Sequence, residues 1–273
     1  MTDAVAAATA TLAAAGVTSP RVDAELLAAH VLGVSRSRLA FAAMTRSQAA
    51  RFDDLVAKRA QRIPLQHLIG APFYGLELDV GPGVFIPRPE TELLVEWGLS
   101  VLSRGDPIVV DLCSGSGAIA IAIAARRPDA VVYAVERSPT ALEWLRRNTT
   151  GRSVRVVSAD VRSPDLLSEL AGRVDLVLCN PPYVPDGTPV PVEVSRYDPP
   201  EAVFAGPDGL ALMPSVIAVA GRLLRAGGAL GIEHDERHGA GVVALLGGPD
   251  FTSVMDHEDL AGCPRFATAL RLG

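Results

Sequence analysis

The spacing of apolar residues divides the chain into a helical part and a part in which helices alternate with strands. From Ala4 to Arg62, apolar residues recur at helical intervals, and no strand-like alternation interrupts them. Pro20 is typical of a helix start, and Gly33 with Ser35 indicates a stop followed by a new cap. The pattern therefore predicts a small helical bundle in the amino-terminal part.

A region rich in glycine and proline follows, from Pro64 to Pro89. Within it, Leu76, Leu78 and Val80 alternate with acidic residues at the period of a β-strand. This spacing predicts a hairpin-like linker over residues 65–86, between a helical domain at residues 1–64 and a second domain at residues 87–273.

From Thr91 onward, helical segments alternate with short apolar strands. Such alternation predicts an α/β fold with a parallel sheet that helices cover on both faces. The predicted strands are Ile108–Leu112, Val131–Val135, Val154–Val157, Val174–Cys179 and Ala229–Glu233.

Composition is that of an ordinary globular protein. The 273 residues are 49% hydrophobic and 21% charged, which suits one large domain and a smaller one. We expect a cytoplasmic protein without a membrane segment, because no run of about 20 apolar residues and no signal-like amino terminus is present. The three cysteines, Cys113, Cys179 and Cys263, are widely spaced, so neither a disulfide framework nor a metal site is predicted.

Charge is distributed unevenly along the chain. The net charge of -6 argues against a protein that holds duplex DNA through its phosphates. Residues 1–65 carry eight Lys/Arg and five Asp/Glu, or +3, which leaves -9 for the remainder. The basic part is either a solvated helix surface or a contact for an RNA-associated partner. We expect no stable binding to nucleic acid. We also expect the protein to be a monomer.

The tetrapeptide Asn180-Pro181-Pro182-Tyr183 comes directly after the last residue of the strand Val174–Cys179. The prolines stiffen the turn, so the Asn180 carboxamide and nearby main-chain carbonyls become fixed acceptors. A planar nitrogen has a delocalised lone pair, and accepting its N–H protons localises that pair towards an incoming methyl group. Tyr183 adds a flat face. The competing interpretation is a proline-rich loop that closes a strand, but the carboxyl end of a strand is where α/β sheets bind ligands.

A glycine-rich turn, Asp111–Gly117, joins the first predicted strand to the apolar helix Ala118–Ala125. Glycines at such a junction let the backbone approach a ligand closely. Gly115-x-Gly117 alone is compatible with a tight turn without a ligand. It is also compatible with NAD, because Ala120 occupies the third position of the dinucleotide fingerprint.

Acidic residues follow the next two strands. Glu136, at the end of the second strand, is placed to hold the two ribose hydroxyls of a nucleoside. Asp160, after the third strand, is placed to accept from an adenine amino group, with Val161 packing the ring. Together with the turn at Asn180, these signals predict a nucleoside site beside a methyl-transfer site. A dehydrogenase would not need the turn at Asn180, which is the fourth of these signals.

The chain resembles the class I S-adenosylmethionine-dependent methyltransferases that modify the glutamine of the Gly-Gly-Gln motif in peptide chain release factors. The resemblance covers nearly the whole chain, and its segments are Asp23–Leu27, Pro64–His67, Gly81–Glu92, Asp111–Gly117, Asn180–Tyr183, Arg196–Pro199, Gly206–Leu210 and Asp259–Gly262. Pro87–Glu92 is especially specific when joined to the later tetrapeptide. Asp235 departs from the glycine that is more usual two residues after Glu233, so we assign no role to this loop.

The resemblance implies a Rossmann-like domain with a seven-stranded sheet, a helical substrate-recognition domain, and S-adenosylmethionine as the cofactor. Residues 113–117 would wrap the methionine part. The implied cofactor-binding residues are Asp111, Cys113, Ser114, Gly115, Ser116, Gly117, Glu136, Asp160, Val161 and Asn180.

The mechanism that we expect places catalysis on Asn180, Pro181 and Tyr183. The Asn180 side-chain oxygen and the Pro181 carbonyl would accept the two N–H protons of the substrate amide. The residues expected to contact the substrate are Asn180, Pro181, Pro182, Tyr183, Phe85 and Arg88. For Arg88, a structural salt bridge to Glu90 or Glu92 is an equally supported alternative.

Three functional hypotheses remain open at this stage. The favoured one is methylation of a release-factor glutamine at its side-chain nitrogen, N5. The second is methylation of an amino group in nucleic acid or of another protein glutamine, such as one in a ribosomal protein. The third is a non-catalytic nucleotide-binding or translation-factor-binding module that keeps the fold.

Overall fold

The computed structural model describes residues 2–103 and 105–273. The chain forms two compact units. The helical unit is Met1–Ala71 with Val190–Tyr197, and the sheet unit is Pro72–Pro189 with Asp198–Gly273. The domain boundaries expected at residues 64 and 86 stay a prediction.

Helices occur in both units. In chain order, the α-helices of the described residues are α1 (Thr2–Ala14), α2 (Pro20–Leu32), α3 (Arg46–Ala60), α4 (Leu65–Ile69), α5 (Thr91–Val101), α6 (Ala118–Arg126), α7 (Pro139–Thr149), α8 (Val192–Tyr197), α9 (Met213–Leu223) and α10 (Gly239–Leu246). Short 3-10 turns lie at Arg36–Phe41, Ser168–Leu170 and Pro200–Ala202. Among these helices, none has both the length and the apolar character that crossing a bilayer requires.

The strands lie in a small sheet and a large one. They are β1 (Ala71–Phe73), β2 (Leu76–Leu78), β3 (Ile108–Leu112), β4 (Val131–Glu136), β5 (Val154–Ser158), β6 (Val174–Cys179), β7 (Leu224–Glu233), β8 (Phe251–Glu258) and β9 (Pro264–Arg271). β1 and β2 form the small sheet. The two residues between them, Tyr74 and Gly75, have φ of 51° and 77°, as a tight hairpin turn of type I′ requires.

The helical unit confirms the predicted bundle. Helix α2 is capped at its carboxyl end by Gly33, whose φ of 66° lies in the left-handed region that glycine adopts at little cost. Helix α3 begins with a capping box, in which Thr45 and Gln48 each satisfy the other's backbone N–H. The apolar faces of the helices meet at Leu12, Leu27 and Phe52, which are at most 2% exposed.

Helix α8 follows the Asn180 turn in sequence and is held in the helical unit by charge. Arg59 donates to Asp23 at 2.8 Å and to Glu193, on α8, at 2.9 Å. Arg62 donates to the other oxygen of Glu193 at 2.6 Å. Although burial raises the pKa of Glu193, the hydrogen bonds from the two arginines outweigh it and lower the pKa to about 2. The pairing is therefore charged over the whole physiological pH range.

The large sheet of the sheet unit has seven strands in the order β5-β4-β3-β6-β7-β9-β8. The α/β fold with this strand number is confirmed. Neighbouring strands from β5 to β7 are parallel, but β9 runs antiparallel to both β7 and β8. The expected parallel arrangement holds for the five predicted strands, β3 to β7, whereas the antiparallel edge is made by β9 and β8. Neither β8 nor β9 was among the predicted strands. β8 is an edge strand and largely exposed, so it lacks a continuous apolar run.

Strand register brings the predicted site residues to one edge of the sheet. Leu112 at the end of β3 pairs with Val135 on β4 and with Cys179 on β6, so these strands end level with one another. Connections leave β3 towards β4 on one side and return to β6 on the other. This reversal of strand order creates the crevice in which open α/β sheets bind ligands.

Candidate active site

The turn after β3 depends on residues with positive φ. Cys113, Gly115 and Gly117 have φ of 59°, 54° and 89°. A Cβ atom on Gly117 would lie 2.6 Å from Leu145 Cδ1, whereas a Cβ on Gly115 would meet nothing within 4 Å. Packing within the protein therefore requires glycine at position 117, and the space beside Gly115 is open to a ligand.

The two glycines should respond differently to substitution. We expect Gly117→Ala to lower the free energy of unfolding by about 2 kcal/mol, because it adds backbone strain and a clash with Leu145. Gly115→Ala should lower stability less and should weaken binding of the expected cofactor, S-adenosylmethionine, more, because the added methyl enters the open space. Thermal unfolding and calorimetric titration of both variants check this. Equal losses of stability would contradict it.

Asp111, at the end of β3, is buried with one oxygen unpaired. Its Oδ2 accepts from the Ser114 hydroxyl and from the Ala120 main-chain N–H, the latter at 3.1 Å. Its Oδ1 is buried and has no hydrogen-bond partner in the described residues. Burial raises the pKa of Asp111 to about 7, against the effect of these two donors. An unpaired carboxylate oxygen beside a glycine-rich turn fits a ligand that carries N–H donors.

Glu136, at the end of β4, ties the glycine-rich turn to the start of α7. Its Oε2 accepts from Gly115 N at 2.9 Å, and its Oε1 accepts from Arg137 N and Ser138 N, both at 2.7 Å. A carboxylate has about four acceptor positions. These three donors therefore leave capacity for a ribose hydroxyl, and that role stays a prediction.

Asp160 and Val161 lie beyond β5, as the sequence indicates. Asp160 accepts from the Arg162 side chain at 2.6 and 3.0 Å, and this hydrogen bonding is the main reason why its pKa falls to about 2. Val161 is 5% exposed and packs in the core of the sheet unit. The contact of these residues with adenine stays a prediction.

The Asn180 turn has a fixed carboxamide. Asn180 Nδ2 donates to Thr91 Oγ1 at 3.1 Å. Asn180 Oδ1 has no hydrogen-bond partner in the part of the chain that the structure describes. Pro181 is buried, and Pro182 is partly exposed. The turn thus offers an unused acceptor on a side chain whose amide nitrogen is already bound.

Tyr183 and the residues after it are anchored. The Tyr183 hydroxyl donates to Glu233 Oε1 at 3.1 Å, and burial, with the nearby Glu233 carboxyl, raises the pKa of Tyr183. The next residue, Val184, exchanges main-chain hydrogen bonds of 2.9 Å with Val203 and Ala205. Position 209 requires glycine, because a Cβ atom there would overlap the Tyr183 carbonyl oxygen.

Arg88 and Phe85 contact each other. The Arg88 guanidinium lies 4.8 Å from the centre of the Phe85 ring and donates to Asp198 at 2.8 Å. Burial raises the pKa of Asp198 to about 6 in spite of the charge of Arg88. The expectation that Arg88 forms a salt bridge with Glu90 or Glu92 was wrong about the partner, which is Asp198. The sequence did not indicate this partner, because Asp198 lies far along the chain and no local pattern links the two residues. Whether Phe85 and Arg88 touch substrate stays a prediction.

Sequence reasoning missed three polar residues of this region. Thr91 binds Asn180, and Glu233 binds Tyr183. Asn148 donates to the Ser116 carbonyl oxygen at 3.0 Å and so braces the glycine-rich turn. A signal existed for Glu233, since it ends a buried strand as Glu136 does. Thr91 lay inside the Pro87–Glu92 motif without an assigned role.

Two family models match the chain. The PrmC N-terminal domain matches residues 3–70. The methyltransferase small domain matches residues 88–192. The first match falls on the helical unit for nearly its whole length. The second contains the glycine-rich turn, Glu136, Asp160 and the Asn180 turn.

Curated relatives match nearly the whole chain. A release factor glutamine methyltransferase of Mycolicibacterium smegmatis is 55% identical over 98% of this chain and 97% of its own length. A release factor glutamine methyltransferase of Mycobacterium tuberculosis (H37Rv) is 46% identical over 97% of this chain and 90% of its own. A 4-amino-L-phenylalanine/4-methylamino-L-phenylalanine methyltransferase of Streptomyces pristinaespiralis is 40% identical over 88% of this chain and 84% of its own.

Solved structures share the fold. A methyltransferase from Pyrococcus furiosus superimposes with a TM-score of 0.55 at 18% identity, over 80% of this chain and 99% of that one. At this identity, the likeness supports the class I methyltransferase architecture of the sheet unit and nothing finer.

Proposed function

The chain belongs to the family of release factor glutamine methyltransferases, and on that premise we propose that it transfers a methyl group from S-adenosylmethionine to the side-chain amide nitrogen, N5, of the glutamine in the Gly-Gly-Gln motif of peptide chain release factors. The observation that carries the proposal is the Asn180 carboxamide. Its nitrogen is bound by Thr91, and its oxygen is an acceptor that no described residue uses, directly after the strand that borders the ligand crevice. An amide nitrogen with two N–H groups is the complement of such an acceptor.

The cofactor would be held by residues at the ends of three strands. Among the described residues, Asp111 Oδ1 is a buried acceptor without a partner, Gly115 borders open space, and Glu136 keeps acceptor capacity beyond its three main-chain donors. These features fit S-adenosylmethionine. When bound, this cofactor supplies a methyl group on a sulfonium sulfur. Asp160 and Val161 complete the proposed cofactor site at the adenine.

Catalysis on this chain is mainly positioning. Asn180 Oδ1 and the Pro181 carbonyl oxygen would accept the two N–H protons of the substrate amide, and so aim its nitrogen at the methyl group. Both acceptors strengthen as positive charge grows on that nitrogen, which lowers the barrier. Pro182 cannot donate a main-chain hydrogen bond that would compete for them. Tyr183, Phe85 and Arg88 would confine the amide. No general base need act before the transfer, because the surplus proton leaves afterwards.

The helical unit is the proposed recognition domain for the release factor. We propose that the enzyme acts in the cytoplasm as a monomer and binds no nucleic acid stably. The net charge of -6 supports the last point, because binding through phosphates requires a basic surface.

Transfer of labelled methyl to a purified release factor tests the function. The factor is compared with a variant in which the Gly-Gly-Gln glutamine is replaced, and the product is mapped by peptide mass spectrometry. Nucleic acid, ribosomal protein and 4-amino-L-phenylalanine are offered in parallel. We expect label on the glutamine alone. Label on the aromatic amine or the nucleic acid, with none on the factor, would overturn the proposal.

A further inference from the structure

Four polar side chains from three segments of the chain meet at the Asn180 turn. Asn180 donates to Thr91, the first residue of α5, at 3.1 Å. Tyr183 donates to Glu233, the last residue of β7, at 3.1 Å. The Thr91 hydroxyl lowers the pKa of the Glu233 carboxyl, although no hydrogen bond of normal geometry joins these two groups in the described residues. Thr91 and Glu233 are 3% and 1% exposed. These two side chains of the cluster are therefore shielded from solvent.

A carboxamide has two orientations that exchange its oxygen and its nitrogen. Only the one that directs Oδ1 of Asn180 away from Thr91 offers an acceptor to a substrate amide. The Thr91 hydroxyl does not select it alone, because a hydroxyl both donates and accepts. If Thr91 donated to Asn180 Oδ1, the nitrogen would face the substrate, and two N–H groups would oppose each other.

The Glu233 carboxylate determines the direction in which the Thr91 hydroxyl donates its hydrogen bond. An ionised carboxylate only accepts hydrogen bonds. Glu233 Oε1 accepts from Tyr183, while Oε2 is buried and lacks a hydrogen-bond donor at normal geometry in the described residues. Such an oxygen attracts the nearby hydroxyl proton of Thr91. A hydroxyl whose proton is directed to the carboxylate has only acceptor capacity left for Asn180 Nδ2.

We propose that Thr91 and Glu233 are positioning residues that fix the orientation of the Asn180 carboxamide, with Asn180 donating to Thr91 and Thr91 directed to Glu233. The proposal rests on the proposed function, in which Asn180 Oδ1 accepts from the substrate. It assigns a role to Glu233, which heads the loop that departs from the family pattern.

The arrangement depends on the charge of Glu233. Burial raises the pKa of Glu233 to about 7, and the charge of Glu90 acts in the same direction. The Thr91 and Tyr183 hydroxyls and the charge of Arg265 act against it. Protonated Glu233 can donate to Thr91, which releases the Thr91 proton towards Asn180. The preferred orientation of the Asn180 carboxamide should therefore be lost as the pH falls through about 7. Cys179 also senses the charge of Glu233, but burial raises the pKa of Cys179, so this residue stays a thiol.

Nuclear magnetic resonance of the side-chain amides tests the orientation without any substrate. The chain has two asparagines, Asn148 and Asn180, so labelling asparagine with 15N gives two amide groups. Asn180→Ala assigns them. Asn148 donates to two main-chain carbonyls and accepts from Asp79 N, so it shares no partner with Asn180 and serves as an internal control for folding.

We expect one Asn180 amide proton to exchange with water about tenfold more slowly than in Thr91→Val, since that variant removes its acceptor. Thr91→Ser should restore the slow exchange. The wild-type Asn180 signals should shift with a midpoint near the Glu233 pKa of about 7, and Glu233→Gln should abolish this titration. Unchanged Asn180 exchange in Thr91→Val, with Asn148 signals intact, would overturn the proposal.

Kinetics supply the second measurement. Thr91→Val should lower kcat for methyl transfer about tenfold, the effect of one lost hydrogen bond, with little change in KM for the cofactor. Thr91→Ser should recover most of it. In the wild type, kcat should fall on the acidic side of its pH profile as Glu233 takes up a proton. This contribution to the fall should be absent in Glu233→Gln. A limb from Asp111, which titrates in the same range, would remain.

The two proposals fail separately. Wild-type protein that shows the Asn180 protection but methylates no release factor would refute the proposed function alone. Active wild-type protein with Thr91→Val at full kcat and unchanged Asn180 exchange would refute the positioning role alone.

Discussion

Asn180→Ala is expected to lower kcat for methyl transfer by about 10²- to 10³-fold, the loss seen when one preorganised partner of a developing charge is removed. The structure explains the size of the effect. Thr91 already holds the Asn180 nitrogen, so in the proposed mechanism the side-chain oxygen would meet the substrate without reorganisation. Alanine leaves one substrate N–H without its acceptor and the amide nitrogen less well aimed.

Steady-state kinetics at saturating release factor check this result. Binding of S-adenosylmethionine, followed by calorimetry, should change much less than kcat, because Asp111 and Glu136 provide the main polar contacts that we propose for the cofactor. Asp186→Ala is a suitable control, since Asp186 is exposed and lies in the same segment. Near-normal kcat in Asn180→Ala would rule out the proposed acceptor role, and an equal loss in Asp186→Ala would point to a general disturbance of the segment.

Local pattern was sufficient for most of the sheet unit. Strands β3 and β6 are buried on both faces and were predicted with the bounds that the structure shows, because a buried strand is apolar throughout. The turns that follow these strands could be located in the same way. β8 lacked this signal, since most of its residues face solvent.

Pairings between distant residues were beyond local pattern. Arg88 and Asp198 are 110 residues apart, and Asn180 and Thr91 are 89 apart. Neighbours in sequence constrain backbone shape, whereas these contacts arise only once strand order has brought separate elements together. The residue types at Asn180 and Glu136 indicated chemistry, but the groups that orient them came from the fold.

Glu136→Ala is expected to weaken S-adenosylmethionine binding by about 10- to 100-fold, since hydrogen bonds to a charged group are each worth about 1.5–3 kcal/mol. Two losses combine. The proposed bond to the ribose disappears, and the N–H groups of Gly115, Arg137 and Ser138 lose their common acceptor. The glycine-rich turn then has to be ordered by the cofactor itself, at the expense of affinity.

Calorimetric titration of Glu136→Ala and Glu136→Gln separates these two losses. Glutamine keeps one acceptor oxygen for the main-chain donors but removes the charge, so it should bind the cofactor better than alanine and worse than the wild type. Glu143→Ala, an exposed change on α7, should bind as the wild type does. Wild-type affinity in Glu136→Ala would exclude any ribose contact. Glutamine still accepts from part of the turn. Equal losses of cofactor affinity in the alanine and glutamine variants would therefore mean that the charge of Glu136, rather than its bracing of the turn, determines affinity.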